Sequence, residues 1–165
     1  MNEFLSRLVG ILLLKDGPQD LPPGTPALAG SVAIYVAATS VSIARGDGTE
    51  HPAAVMALAV VLPMLLSRIV LGLRNRLARW PQTLSALFGT SGLLSLLSLP
   101  LAVTAGSEPQ PVVVAASLVL FFWSFAVDAH IWRHALDTSF AVGMAVAVLL
   151  FAVSMVVITS LAGPL

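Results

Sequence analysis

Five long apolar stretches, set apart by short runs of Gly, Pro and charge, organise the chain from residue 27 onward. A helix needs roughly 17–25 residues to cross the hydrocarbon of a bilayer. The first stretch is 27–44, "ALAGSVAIYVAATSVSIA", closed by the polar run "RGDGTEHP". The second is 53–73, with Pro63 at its centre. A central proline is expected to kink the helix, which lipid-buried bundles tolerate when neighbours satisfy the freed carbonyl. The third, 83–105, has Pro100 near its end and is followed by the turn "GSEPQP". The fourth, 112–130, follows Pro111, and the fifth, 138–162, contains no charge.

Ahead of these lies "MNEFLSRLVGILLLKDG". Its apolar run is short, Glu3 stands in the leading region and no small-residue cleavage site follows, so it does not read as a signal peptide. Phe4, Leu5, Leu8, Ile11 and Leu12 share one helical face, with Glu3, Ser6, Arg7 and Gly10 opposite. Residues 1–15 therefore read as an amphipathic helix, lying in the membrane interface or packed on the bundle. The prolines and glycines of 16–26 forbid a continuous helix and mark a surface linker. The expected fold class is an all-α membrane protein of one domain: five transmembrane helices plus the N-terminal interfacial helix.

Composition agrees with that pattern. The chain is 58% hydrophobic and 10% charged, against about a quarter charged in soluble domains. Zero net charge provides no global field for nucleic acid. The absence of cysteine excludes disulfides, thiolate nucleophiles and cysteine metal sites.

Orientation follows from Lys and Arg. With the N-terminus inside, the cytoplasmic side holds Arg7, Lys15, Arg68, Arg74, Arg76, Arg79 and Arg133, and the other side only Arg45. That bias predicts a cytoplasmic N-terminus, five crossings and a C-terminus on the far side. Arg68 lies in the second span but near its end, where its stem can carry the guanidinium to the interface. "RNRLARWPQ" (74–82) makes a basic cytoplasmic patch suited to anionic headgroups. In the third span Ser85, Gly89, Ser91, Gly92 and Ser95 supply small residues at helical spacing, the expected packing seam.

The polar run "DAHIWRHALD" (128–137) interrupts two apolar stretches. His130, His134 and Asp137 fall on one helical face, a legitimate but unspecific arrangement for a metal. No Glu stands between the histidines, so the zinc-protease pattern is absent. The alternative is an interface anchor: Trp123 and Trp132 at the boundary, Arg133 and His134 suiting the helix C-terminus, Asp137 or Ser139 capping the next helix. Asp128 or Asp137 is then placed to pair with an arginine of the 74–82 loop. The expected cytoplasmic interaction face is Arg74, Arg76, Arg79, Trp80, Asp128 and Arg133. "GTSGLL" and "GSVAI" lack a nucleophile elbow, and no phosphate-binding glycine loop occurs. No catalytic residue, cofactor or metal is expected.

The run "WPQTLSALFGTSGLLSLLSLPL", the segment "WRHALD" before the last span and "LLLKDGPQDLP" after the first helix, together with five spans, resemble the Yip-domain (Ypt-interacting) membrane proteins and a small Gram-negative subgroup of that architecture. The likeness covers most of the chain and rests on apolar patterning plus a few polar positions. Eukaryotic members are helical membrane adaptors for small GTPases. A bacterial chain lacks that partner, so the resemblance implies architecture, the bacterial inner membrane and a non-enzymatic accessory or scaffold role. Partners would be the lipid bilayer and other membrane proteins or a second copy of the chain. Two alternatives stand beside it: a small transporter or metal-handling protein using the 128–137 cluster, and an accessory protein of type IV pilus assembly.

Overall fold

The computed structural model describes residues 2–45, 51–104 and 110–163. Most of the "RGDGTEHP" loop, most of the "GSEPQP" turn and Ala105 lie outside the described residues. Within them the protein is all-α: α1 (Asn2–Leu12), α2 (Thr25–Arg45), α3 (Pro52–Leu73), α4 (Trp80–Thr104), α5 (Pro111–Leu136) and α6 (Phe140–Ala162). Helices α2 to α6 are long and apolar enough to cross a membrane.

Their boundaries have local causes. Pro52 and Pro111 occupy first-turn positions, where the missing N–H costs no helical hydrogen bond. Helix α3 continues through Pro63 and α4 through Pro100. Helix α5 ends where Asp137 turns left-handed at φ 51°, and the next helix opens at Ser139, whose Oγ accepts from the Val142 N–H at 3.4 Å. Ser139 is thus the cap of α6, leaving the Asp137 carboxylate for other work.

Helix α4 is the hub. It has the lowest mean hydropathy of the five, 1.6, yet 39% of its most apolar window is buried, against 11–17% in the others. Its hydroxyls explain how it tolerates that position. Thr83, Ser85 and Thr90 donate to the carbonyls of Arg79, Pro81 and Ala86 at 2.8–2.9 Å, one turn back. Each buried O–H is satisfied within its own helix. Glycine then lets α2 approach: a Cβ on Gly92 would stand 3.0 Å from the Tyr35 backbone nitrogen. Helix α2 packs chiefly on α4, α3 on α6, and α5 on both α4 and α6.

Helix α1 docks across α4 and α5. Leu8 and Ile11 are fully buried with Leu21, Ala86, Val127 and Ile131. Leu5, expected on the same face as Leu8 and Ile11, is instead exposed together with Val9 and, just past the helix, Leu13, so the segment is apolar on two sides. The outer faces of the long helices carry Leu65, Ile69, Leu118, Phe122, Leu149 and Val156, all exposed. Large apolar side chains outside and small or hydroxylated ones inside is the arrangement of a bundle solvated by lipid.

Candidate functional site

The polar run at the end of α5 is helical almost to its last residue, so a 3.6-residue period spreads it over different faces. Asp128 and Trp132, one turn apart, line a cavity between α2, α3, α4, α5 and α6. His130 and His134 face the linker after α1. Asp137, beyond the helix, turns toward the α3–α4 connection. Sequence neighbours therefore become three separate structural features.

His130 is buried, and its Nε2–H donates to the Asp16 carbonyl at 2.9 Å. This bond reaches the turn that ends α1, where Lys15 N–H donates to the Gly10 carbonyl at 2.8 Å and Leu14 is left-handed at φ 60°. Gly10 lets the Asp16 carboxylate fold back close against the helix, where a Cβ would make that side chain turn away. Trp123 Nε1 donates to the Leu12 carbonyl at 3.0 Å and Gln82 Nε2 to the Leu21 carbonyl at 3.0 Å. These bonds tie both ends of the first turn region to α5 and α4. The His134 ring lies 4.6 Å from the His130 ring, edge to face.

The α3–α4 connection and the α5–α6 turn are joined by charge. Arg79 Nη1 donates to the carbonyls of His134 and Ala135 and to Asp137 Oδ1, at 2.9, 3.3 and 3.0 Å. Arg76 pairs with the other carboxylate oxygen, Oδ2. The guanidinium of Arg79 therefore satisfies two carbonyls left open by the end of α5 as well as the carboxylate. Together Arg79, then Arg76, hold the Asp137 carboxyl below the usual range.

The expected interaction-face residues do not all meet. Arg76 and Arg79 join Asp137, whereas Asp128 contacts neither and faces the cavity. Trp80 donates from Nε1 to the Met64 carbonyl and to Ser67 Oγ, at 3.2 and 3.1 Å, and the Arg68 guanidinium lies over its ring at 5.6 Å. Arg74 is exposed and Arg133 half-buried. Among the described residues no three His, Asp or Glu side chains converge as a metal-ligand group; His130 and His134 stand together while Asp137 is engaged by the arginines.

Of the seam residues, Gly89 and Gly92 sit at close approaches. A Cβ on Gly89 would meet the Leu8 side chain at 2.6 Å. Ser85 is buried, Ser91 lines the cavity, and Ser95 is half-buried. Sequence reasoning missed Gly143, the tightest helix contact: a Cβ there would stand 2.3 Å from the Ala129 carbonyl. The signal was present as Gly143 and Ala147 one turn apart in α6, both buried. It also missed the rest of the cavity lining, including Tyr35, the chain's one tyrosine, and Ser154 in the chargeless α6.

Seven of the eight Lys and Arg residues belong to one end of the bundle, where α1, its linker, the end of α3, the start of α4 and the end of α5 gather. Comparison with protein-family models, with curated proteins and with solved structures finds no match for this chain.

Proposed function

We propose that the protein is a non-catalytic, multi-pass accessory protein of the bacterial inner membrane, built like the Yip-domain proteins it resembles, which docks membrane partners through its cationic end. The observation that carries this reading is the clasp of Arg76 and Arg79 on Asp137. Two interhelical connections are pinned into one ledge, and exposed Arg74 and Leu77 are presented beside it. Short connections leave little chain outside the spans, so action through packing and one helix-end surface fits the fold better than chemistry in an aqueous domain. The charge bias orients that ledge toward the cytoplasm, where anionic headgroups and acidic partner segments are attracted to it.

A photocrosslinking amino acid placed at Leu77 in cells tests the reading, with Leu149 on the outer face of α6 as the comparison site. The expected result is a discrete protein adduct from Leu77, either a membrane partner or a second copy, that is lost on Arg76→Glu with Arg79→Glu. Adducts to lipid alone at Leu77, as at Leu149, would overturn it.

A further inference from the structure

The cavity between α2 and α6 has a volume of about 280 Å³ and a mostly hydrocarbon wall. Tyr35, Phe88, Trp132 and Phe151 supply aromatic surface from four different helices. Asp128 is the one Asp, Glu, Lys, Arg or His among the lining residues. Among the described residues, none donates a hydrogen bond to its carboxyl or forms an ion pair with it. Asp128 lies within the long apolar helix α5, ~3 Å of rise further into it than His130, which bonds the linker after α1.

An ionisable side chain on a spanning helix is costly to keep and marks a functional site when it faces a cavity rather than a partner. The chemistry around it selects the ligand. No cationic side chain lines the cavity, so an anion has no counter-charge. A hard metal ion needs six or more oxygen ligands, and the lining provides one carboxylate, the hydroxyls of Tyr35, Ser91 and Ser154, and otherwise mainly carbon. A carboxylate among aromatic faces suits an organic cation, attracted both by charge and by the ring quadrupoles. The volume lies just below the ~300–1,000 Å³ typical of pockets for drug-sized ligands, so the occupant is small.

We propose that this cavity binds a small apolar organic cation, an alkyl or aryl ammonium whose charge rests against Asp128 and whose hydrocarbon packs on the aromatic walls. The site is separate from the docking ledge and does not depend on that role.

Benzyltrimethylammonium, a permanent cation, is the probe, and neopentylbenzene is its neutral isostere. Binding is read by saturation-transfer NMR on full-length protein in phosphatidylcholine nanodiscs. The expected result is saturable binding of the cation that weakens at least tenfold in Asp128→Asn and is unchanged in Glu3→Gln, an exposed control. The isostere should show no difference between the Asp and Asn forms. Equal affinity of the cation for both forms, or competition by the isostere as strong as by the cation, would overturn the proposal by showing an apolar void that takes any hydrocarbon. Wild-type protein also supplies a measurement that needs no variant. Dicyclohexylcarbodiimide, an apolar reagent that adds to carboxyl groups, should label Asp128 by mass spectrometry, and the cation should protect it. Labelling of Asp128 at the same rate with and without saturating cation would overturn the proposal even if Asp128→Asn failed to fold.

Discussion

The Arg79 guanidinium donates to the backbone oxygen of His134 at 2.9 Å, so a side chain from the connection before α4 closes the carboxyl end of α5. The same nitrogen reaches Asp137 Oδ1 at 3.0 Å. One residue thus caps a helix and fastens two turns.

Replacing Arg79 tests that double role. Arg79→Ala should lower the stability of the purified protein by about 1–2 kcal/mol, a range set by charged hydrogen bonds discounted for solvent exposure. Arg79→Lys should recover only part of it, because an ammonium keeps the charge but lacks the planar fork. Arg74→Ala, which removes an exposed arginine outside the clasp, is the reference. Thermal unfolding in detergent gives the order, and an equal effect of Arg74→Ala and Arg79→Ala would refute the capping role.

The clasp should also depend on pH with a definite sign. The arginines lower the Asp137 carboxyl below its ordinary range, so the unfolded chain takes up this proton more readily than the folded one. The stabilisation is complete above the ordinary carboxyl value of about 4. It is lost as pH falls through the lower value of the folded protein. The difference in melting temperature between wild type and Asp137→Asn should therefore stay constant near neutrality and shrink only in acid. It should shrink also in ~1 M salt, since exposed charges are screened. A difference that grows on acidification has the wrong sign for this pairing.

Three glycines should rank by what a methyl group would meet. In Gly143→Ala the added carbon faces the Ala129 carbonyl, which is rigid backbone, and the cost should be about 1–3 kcal/mol or more. In Gly89→Ala it faces the end of the Leu8 side chain, which can turn aside, and the cost should be smaller. In Gly30→Ala the nearest atom is 3.9 Å away, an ordinary contact, and the change should be neutral. Detergent stability of the three variants checks the order; a neutral Gly143→Ala would contradict the close crossing of α5 and α6.

The two histidines should part company. His130→Ala removes the donor to the Asp16 carbonyl and opens space behind the turn that ends α1, so α1 should loosen from the bundle. Trypsin cleavage at exposed Lys15 should accelerate several-fold in His130→Ala and little in His134→Ala. Equal cleavage rates in the two variants would show that the His130 bond does not hold the turn.

Topology can be read with reporter fusions. Tags at the N-terminus and within 74–79 should report the cytoplasm, and a tag at the C-terminus the opposite side. A cytoplasmic C-terminus would exclude five crossings.

The spans were legible because their signal is cumulative: each window of apolar residues is long enough that single prolines, Pro63 or Pro100, do not alter its sum. The polar cluster was legible only as a cluster. Whether Asp128 belongs with the arginines or with the cavity depends on where α5 ends. The left-handed turn at Asp137 carries no apolar signature, so the helix end was not fixed by the pattern that found the span. Once α5 runs to Leu136, the one-turn spacing puts Asp128 with Trp132 and away from His130. The seam was readable in part for a related reason. Glycine and serine mark where backbones can approach, but not whether the facing atom is a yielding side chain, as at Gly89, or a backbone carbonyl, as at Gly143.

The pairing order of the helices has a consequence for synthesis. A ribosome delivers α2, α3, α4, α5 and α6 in turn, yet α2 packs chiefly on α4 and α3 on α6. The α3 face that ends against α6, Val55 among Ile158 and Ala162, therefore remains without its native neighbour until the last described helix has been inserted. Helix α1, translated ahead of these five, has its docking surface on α4 and α5 completed only after both of those helices have been made. A nascent chain interrupted before Phe140 would hold four inserted helices with α3 poorly seated and the cavity lacking a wall, a form that membrane quality-control proteases can distinguish from the finished protein.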